Sequence, residues 1–433
     1  MSPIKVLHPI TRLIIGGAQE NTMLTADYHN HDPAYQGRYV VDVVSGPQTG
    51  PEGSLIEEVR KRGVDLTIMP EIRREISPAN ELKAIIKLRQ MMSAPNGGPA
   101  YDIVHTHSSK AGVLGRIAAK WAKVPIIVHT VHGWSFHDRM SARKRAFYVA
   151  MERLAARLSD AMIVVSPKDI DKGLAQGIGK REDYTVIRSG IELERFGHPQ
   201  VPPAEMRKQL GIPLDALVVG CVGRLSPQKA PLDLVEAFGH IHRAQMAPTP
   251  GPSPNSRGGE NVFLGQNQDT SLPELGGIEG GPWFVLVGDG PLRSEVEQRL
   301  QELGIADRTI LTGLRRDVPE LMAIFDVFVL SSLWEGLPRV LPQAMATGLP
   351  IVCTRADGSS EAVTDGQNGF LVPRGEPAAL AEKALLLLAD ADLRQRMGAE
   401  GRRRAPEFGA AKMVREIDAL YQRLLVRKGL WVS

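Results

Sequence analysis

The sequence predicts an α/β protein built from two consecutive doubly wound domains, each with a parallel sheet. The chain has 433 residues, which is enough for two or three domains and two full cores. Short apolar runs alternate with amphipathic stretches, and this alternation is typical of βαβ units. The pattern starts again after a proline-containing stretch at residues 196–213, which we interpret as the seam.

The first half contains six short runs with strand character. They are residues 4–8, 39–44, 65–69, 103–107, 126–130 and 162–166. Helical periodicity lies between them, for example at residues 54–61, 81–92 and 111–121. We therefore expect an N-terminal domain over residues 1–198.

The second half repeats the pattern. Its strand candidates are residues 217–222, 283–287, 309–312, 327–330, 351–354 and 369–372, and its helix candidates include 231–242, 292–303 and 339–346. These elements predict a second domain over residues 199–408. A strongly amphipathic helix at 412–428 follows, within a C-terminal segment 409–433.

Residues 247–282 interrupt the second half. They are rich in Pro, Gly, Ser and Asn and show hardly any apolar periodicity. Such a segment buries too little surface to offset its ordering entropy, so we expect a disordered insertion. The alternative is a functional peptide motif.

Composition excludes several classes of protein. The chain is 43% hydrophobic and 23% charged, as ordinary globular proteins are. Cys221 and Cys353, its two cysteines, lie in apolar runs, which excludes a disulfide scaffold and a cysteine-based zinc cluster. The N-terminus lacks the features of a signal peptide, and no run has 18 consecutive apolar residues. We expect a soluble, cytoplasmic protein.

The distribution of charge bears on its partners. Residues 1–195 have a net charge of +6 and residues 196–433 one of −3, which is too weakly basic for nucleic acid. The excess is compatible with an anionic acceptor or with the inner face of a membrane, or with scattered surface charge. Residues 138–158 form a basic amphipathic pattern that is compatible with peripheral docking on anionic lipid. The alternative is a helix that packs on its own sheet with a solvated basic edge.

Two loops after predicted strands suit anions. Gly16 and Gly17 follow the first strand, where backbone N–H groups at a helix N-terminus bind anions, although a tight turn alone also explains them. Arg224 and Lys229 follow the strand that opens the second domain. A guanidinium fork and an ammonium group at the start of a helix make a pyrophosphate clamp. Ordinary surface charge is the alternative.

A third loop suits hydroxyl-rich ligands. Glu335 follows a strand and precedes a helix that carries Gln343 one turn in, so both are expected at the carboxyl edge of the sheet. The Gly288–Gly290 pair lacks the third glycine and the acidic residue of a dinucleotide fingerprint, so it predicts a tight turn.

Four histidines lie at strand ends. Alternation places His105 and His107 on one face of their strand. We expect His105 and His129 to be satisfied core residues and His132 to contact substrate. A metal site is disfavoured because no acid cluster completes the ligand set. The two Asp-x-Asp tripeptides at 169–171 and 390–392 are interpreted as solvated carboxylates on helix faces.

These segments together resemble the retaining glycosyltransferases of family 4, which have two facing Rossmann-like domains (the GT-B fold). The resemblance spans nearly the whole chain. Its motifs are GGA at 16–18, HTHSSKAGVLGR at 105–116, HTVHGWSF at 129–136, IRSGIELERF at 187–196, GRLSPQK at 223–229, VGDGPLR at 287–293, TGLRRDV at 312–318 and EGLP at 335–338. It implies an N-terminal acceptor domain, a C-terminal nucleotide-sugar domain, and a last helix that crosses back to the first domain.

The resemblance also implies site residues. The catalytic set would be Glu335, His132, Arg224 and Lys229. The donor-binding set would be Gly16, Gly17, Arg224, Lys229, Gly313, Leu314, Glu335, Gly336, Leu337 and Gln343. Arg224 and Lys229 would neutralise the leaving diphosphate, and Glu335 would bind sugar hydroxyls. Gln343 replaces the second Glu of the family signature, whose usual ligand is the ribose.

The implied reaction transfers a hexose from a nucleotide-diphosphate sugar to a glycan or lipid-linked acceptor with retention, in cell-envelope or exopolysaccharide synthesis. No metal or other cofactor is expected, since positive charge stabilises the departing phosphate. Two other functions stay open. A sugar-nucleotide 2-epimerase shares the architecture, and the presence of Gln343 motivates a non-catalytic sugar-nucleotide sensor.

Overall fold

The computed structural model describes residues 2–48, 50, 52–75, 77–136, 140–246 and 281–430. The predicted insertion at 247–282 lies outside this set except for its last two residues. The strands, in chain order, are β1 (Ile4–Arg12), β2 (Tyr39–Gly46), β3 (Asp65–Ile68), β4 (Ile103–His107), β5 (Ile126–Val131), β6 (Ala161–Val164), β7 (Tyr184–Val186), β8 (Val218–Val222), β9 (Trp283–Val287), β10 (Thr309–Gly313), β11 (Val327–Leu330), β12 (Ile351–Thr354) and β13 (Gly369–Val372).

Helices connect most of these strands. In chain order they are α1 (Gly17–His31), α2 (Ile56–Lys61), α3 (Pro78–Met91), α4 (Ser109–Trp121), α5 (Ala142–Ala156), α6 (Pro167–Ala175), α7 (Leu193–Gly197), α8 (Pro203–Leu210), α9 (Pro231–Met246), α10 (Arg293–Glu302), α11 (Val318–Met322), α12 (Val340–Thr347), α13 (Ser359–Ala362), α14 (Pro377–Ala389), α15 (Ala391–Arg404) and α16 (Ala410–Arg427). Within the described residues, no helix combines the length and apolar character needed to cross a lipid bilayer.

The chain forms two compact units, each with one parallel sheet. The first unit comprises Met1–Leu193, Glu335–Pro342 and Ala405–Ser433, and the second comprises Glu194–Trp334 and Gln343–Arg404. The sequence pattern assigns residues 335–342 to the second domain, whereas their contacts place them with the first unit.

The first sheet has the order β3-β2-β1-β4-β5-β6-β7 and the second the order β10-β9-β8-β11-β12-β13. All their strand pairs are parallel. The order reverses between β1 and β4 in the first unit and between β8 and β11 in the second. Open α/β sheets bind ligands at such switch points, beyond the carboxyl ends of the strands. The predicted α/β class with two Rossmann-like domains is confirmed.

Both faces of the first sheet are covered by helices. On β1, Val6 and Ile10 belong to the core under α1 and α16, whereas Leu7 belongs to the core under α3 and α4. The alternation follows from the period of two along a strand. The predicted final helix is confirmed as α16, which buries Met413, Tyr421 and their neighbours in the first unit.

One strand was not predicted from the sequence. Strand β7 has three residues and pairs in parallel with β6 at the edge of the sheet. Three residues are too few to show a periodic pattern.

Candidate active site

The loop between β8 and α9 carries the predicted phosphate clamp. Arg224 is exposed and Lys229 is half-buried, and both line one pocket together with Gly223 and Leu286. Lys229 lies two residues before Pro231, the first residue of α9, and the dipole at this helix N-terminus favours negative charge. Two cations and a helix N-terminus therefore surround this pocket of the second unit.

Hydrogen bonds fix this loop against the segment after β11. The Ser331 hydroxyl donates to the carbonyl oxygens of Lys229 and Ala230, at 2.8 and 2.9 Å. The Gln228 side chain donates to the Trp334 carbonyl oxygen at 2.9 Å. Trp334 directly precedes Glu335 in the chain. The loops after β8 and β11, the two central strands of the second sheet, are thus hydrogen-bonded to each other beside Glu335.

The loop after β9 packs against the loop that carries Arg224 and Lys229. A Cβ atom added to Gly288 would lie 2.1 Å from the Gly223 carbonyl oxygen, and one added to Gly290 would lie 2.3 Å from the Leu225 carbonyl oxygen. The backbone of Leu225 also donates to the carbonyl of Asp289 at 3.0 Å. The two glycines therefore allow one backbone to pack directly on another, as the predicted tight turn requires.

The other predicted site residues of the second unit are Gly313 and Leu314, at the end of β10, and Gln343 in α12. Gly313 ends β10 with a φ of +69°, a conformation that favours glycine, and its carbonyl accepts from the Gly288 backbone N–H at 2.9 Å. Leu314 follows with an exposed side chain. Gln343 is half-buried in the first turn of α12.

In the first unit, the glycine turn contacts the segment that contains Glu335. Gly16 caps α1 and Gly17 begins it. Arg339 donates through Nη1 to the Gly17 carbonyl at 3.1 Å and to Glu20 Oε2 at 2.6 Å, and through Nη2 to the Gly190 carbonyl at 2.8 Å. One buried guanidinium therefore holds the first turn of α1 and the loop after β7.

Gly336 lies directly against the backbone of His132. A Cβ atom added to Gly336 would be 2.6 Å from the His132 carbonyl oxygen, so this contact requires glycine. Leu337 is buried beside it. The structure thus brings Gly336 of the predicted set against His132, within the first unit.

Histidines of three neighbouring strands share one face of the first sheet. His8 Nδ1 lies 2.8 Å from His107 Nε2, and His107 Nδ1 lies 3.1 Å from His132 Nε2. His105 uses both ring nitrogens, with the Tyr421 hydroxyl at 2.5 Å and the Thr130 hydroxyl at 2.6 Å. The same-face prediction for His105 and His107 holds, since their rings are 4.4 Å apart.

Burial keeps these histidines neutral. It lowers the pKa of His8 to about 3, with a smaller contribution from His29. It also lowers the pKa of His132 to about 3, with the charge of Arg339 as the second cause. The pKa values of His105 and His107 lie well below the usual range, first because of burial and then because of the neighbouring histidines.

One ring nitrogen from each of His8, His105 and His107 lies within 4.8 Å of the other two, a spacing that would allow a shared metal ion. Both nitrogens of His105, however, hydrogen-bond to hydroxyl groups, and the 2.8 Å contact between His8 and His107 is a hydrogen-bond distance. The geometry fits shared protons better than a shared cation.

Three further predictions have structural outcomes. His129 is buried and bonds to the Thr106 hydroxyl at 2.9 Å, as a core histidine should. Both cysteines are buried, and burial raises the pKa of each to about 12, which fits core residues. The prediction that Asp169 is solvated was wrong: it is buried in the first turn of α6, where its carbonyl accepts from the Trp134 indole.

The predicted basic helix over 138–158 forms as α5, and Asp138 and Arg139 lie outside the described residues. Its inner face is anchored by a buried ion pair, in which Arg116 of α4 donates to Glu152 at 2.9 Å. Its outer face exposes two large apolar side chains and four cations, which are Phe147, Leu154, Arg143, Lys144, Arg153 and Arg157.

Sequence reasoning missed two residues that organise the first unit. His8 shares strand parity with Val6 and Ile10, but only the pairing of β1 with β4 brings it to His107. Arg339 directly follows the EGLP motif, but no local pattern marks it as the partner of Glu20, 319 residues away.

Comparisons with known proteins agree with this architecture. The family model described as glycosyl transferases group 1 matches residues 278–404, and the glycosyl transferase 4-like domain matches residues 34–190. A relative in Escherichia coli, UDP-Gal:alpha-D-GlcNAc-diphosphoundecaprenol alpha-1,3-galactosyltransferase, is 31% identical over 363 residues, which cover 83% of this chain and 84% of the relative.

Two more distant similarities extend over most of the chain. The capsular polysaccharide biosynthesis glycosyltransferase CapM of Staphylococcus aureus is 23% identical, over 85% of this chain and 88% of its own. The crystal structure of Anabaena HepE in complex with UDP and glucose superposes with a TM-score of 0.75 at 22% identity, covering 97% of this chain and all of HepE. The two family models and the Escherichia coli relative show that this chain belongs to the family 4 glycosyltransferases (glycosyl transferases group 1), and its fold is GT-B.

Proposed function

We propose that this protein transfers a hexose from a nucleotide-diphosphate sugar to a hydroxyl group of a lipid-linked glycan, with retention of configuration and without a bound metal. The observation that carries the proposal is the pocket lined by Arg224 and Lys229 at the start of α9. The guanidinium and ammonium groups bind the diphosphate and stabilise the charge that develops as it leaves. They take the place of a divalent cation.

The other predicted residues recognise the rest of the donor. The Glu335 carboxylate accepts hydrogen bonds from sugar hydroxyls, and the backbone N–H groups of Gly336 and Leu337 approach the phosphate. His132 contacts the transferred sugar. Retention follows from attack on the front face of the sugar, where the leaving phosphate takes the acceptor proton, so no covalent nucleophile is required.

The remaining donor contacts have separate roles. Gly16 and Gly17 at the start of α1 border the diphosphate, and Gly313 and Leu314 border the base. Gln343 accepts from the ribose through its amide oxygen. The Escherichia coli relative suggests UDP-galactose as the first donor to test.

Nucleotide binding tests the clamp. UDP, GDP and ADP are titrated calorimetrically into the wild type and into Arg224→Gln and Lys229→Gln. Each variant should bind the preferred nucleotide at least tenfold more weakly, since a charged hydrogen bond to phosphate contributes about 1.5–3 kcal/mol. Arg355→Gln, in the same unit and in an exposed pair with Asp365, is the matched control. Unchanged affinity in both clamp variants would rule the clamp out.

Turnover tests the reaction. UDP-galactose and a GlcNAc-diphospholipid acceptor should yield a disaccharide lipid whose new linkage is α by NMR, at the same rate with and without EDTA. An inverted linkage or a rate lost with EDTA would contradict the proposed mechanism. Interconversion of UDP-sugars without an acceptor would favour the epimerase.

We further propose that the outer face of α5 docks on anionic lipid, close to a membrane-bound acceptor. Phe147 and Leu154 provide apolar contacts beside exposed arginine and lysine side chains. The double variant F147S/L154S should lose cosedimentation with phosphatidylglycerol vesicles. Leu214→Ser, at an exposed leucine of the second unit, should not. Equal binding to neutral phosphatidylcholine vesicles would contradict the proposal.

A further inference from the structure

Three histidines form a continuous hydrogen-bonded chain in the first unit. His8 Nδ1 meets His107 Nε2 at 2.8 Å, and His107 Nδ1 meets His132 Nε2 at 3.1 Å. Two ring nitrogens, His8 Nε2 and His132 Nδ1, end the chain; both are buried and have no hydrogen-bond partner among the described residues. The residues lie on β1, on β4 and just after β5, on the sheet face covered by α1 and α16.

A chain of neutral imidazoles has only two proton arrangements. Each neutral ring carries one N–H and one acceptor nitrogen, so the direction of one hydrogen bond sets the direction of the next. In the first arrangement, His8 donates to His107, His107 donates to His132, and the free N–H is His132 Nδ1–H. In the second, every bond is reversed and the free N–H is His8 Nε2–H.

Burial distinguishes the two arrangements. His8 is fully buried, so an N–H at its Nε2 would stay without an acceptor whether or not a ligand binds. His132 Nδ1 is itself buried, but the His132 side chain as a whole is only half-buried, so a small movement of its ring would bring Nδ1 to a ligand oxygen. A buried N–H without an acceptor is unfavourable, and this favours the arrangement that ends on His132.

We propose that His8 and His107 are positioning residues that hold His132 as a neutral hydrogen-bond donor, through Nδ1–H, to an oxygen of the bound sugar. This inference rests on the proposed glycosyltransfer and deepens it. His132 is then a donor to the sugar rather than a base, and its tautomer is set by a ring that never touches the substrate. A histidine tautomer is commonly fixed in this way, by a neighbouring group that hydrogen-bonds to the other ring nitrogen.

The tautomer is measurable in the free protein by long-range ¹⁵N–¹H NMR of imidazole-labelled enzyme. We expect His132 to have a protonated Nδ1 and an unprotonated Nε2 at pH 7.5, with the same tautomer at His107 and His8. Protonation at His132 Nε2 would overturn the proposal. So would stoichiometric zinc in the purified protein, because a metal ion would replace the shared protons. This measurement does not depend on enzymatic activity.

Variants of His107 separate tautomer control from general packing. In His107→Asn the amide N–H can replace Nδ1–H as donor to His132, whereas His107→Leu offers no donor. The leucine variant should show a mixture of His132 tautomers and about a tenfold lower kcat with little change in KM. The asparagine variant should recover most of both properties. Equal kcat values in the two variants would contradict the positioning role.

Donor analogues complete the test. A set of donor sugars, each lacking one hydroxyl, should include one analogue that wild type turns over about tenfold more slowly than the parent sugar. This loss of rate should disappear in His132→Phe, because the hydrogen bond from residue 132 to the sugar is already absent. It should shrink in His107→Leu, because only part of the His132 population then carries the Nδ1–H donor. A penalty of the same size in all three proteins overturns the proposal. If no nucleotide sugar supports turnover while the NMR result is as expected, the proposed function fails and the tautomer assignment stands.

Discussion

Arg339 Nη1 lies 2.6 Å from Glu20 Oε2, and this ion pair joins the segment after the EGLP motif to the first turn of α1. The Arg339 side chain is 8% exposed and that of Glu20 is 29% exposed. The same guanidinium donates to two backbone carbonyls, at Gly17 and Gly190. The pair therefore fixes the glycine turn from an element far away in the sequence.

Removing this guanidinium should destabilise the first unit. In Arg339→Leu, a partly buried carboxylate and two carbonyl groups lose their donor, so the free energy of unfolding should fall by about 2–4 kcal/mol in urea denaturation. Arg355→Leu is the control, because both members of its pair with Asp365 are more than half exposed. It should change stability by less than about 1 kcal/mol. Equal losses in the two variants would contradict this account.

Stability should fall below pH 6.5. Burial depresses the pKa of six histidines, which are His8, His29, His105, His107, His129 and His132. Below pH 6.5 the unfolded chain binds protons at these sites and the folded chain does not. Their stabilising contribution is therefore complete above pH 6.5 and is lost as the pH falls from 6.5 toward the lowered pKa of each group, which is about 3 for His8, His29 and His132. Each histidine lowers the free energy of unfolding by up to about 1.4 kcal/mol for each pH unit in this range.

His29 offers a direct test of this slope. Burial and then the charge of Arg38 lower its pKa to about 3. His29→Phe and His29→Asn both remove the titrating group, so both should flatten the dependence of unfolding free energy on pH by about one proton between pH 6 and 5. Their stabilities at pH 7.5 should differ, because the two side chains pack differently. A wild-type slope in either variant would show that His29 does not titrate on unfolding.

Gly290→Ala should disturb the loop that carries Arg224. The new methyl group would lie 2.3 Å from the Leu225 carbonyl oxygen, so one backbone must move. We expect a loss of about 1–3 kcal/mol in unfolding free energy and weaker nucleotide binding. Gly197→Ala is the matched control, since an added Cβ there has no neighbour within 4 Å. Normal UDP affinity in Gly290→Ala would show that the loop tolerates the shift.

Gln343→Glu should strengthen nucleotide binding. A carboxylate accepts from ribose hydroxyls more strongly than an amide oxygen does, so the Kd should fall by about threefold to tenfold in calorimetry. Gln343→Leu removes the acceptor and should weaken binding by a similar factor. If the Glu and Leu variants both bind as wild type does, residue 343 does not contact the nucleotide.

The local patterns predicted most of the elements, but not all their ends. Strand β8 and its neighbours appear where the apolar runs predict them, because a buried parallel strand needs continuous apolar residues. Helix α3 begins at Pro78, three residues before the periodicity becomes visible, since proline suits the first helical position.

The sequence by itself determined the two α/β domains and the loops that carry Arg224, Lys229 and Glu335, because periodicity and strand-end position are local properties. Only the tertiary structure decided which distant groups meet. The pairing of β1 with β4 brings His8 beside His107, and the position of residues 335–342 within the first unit brings Arg339 to Glu20. Strand order and long-range contacts depend on which faces are buried together, and no local pattern in the chain encodes that choice.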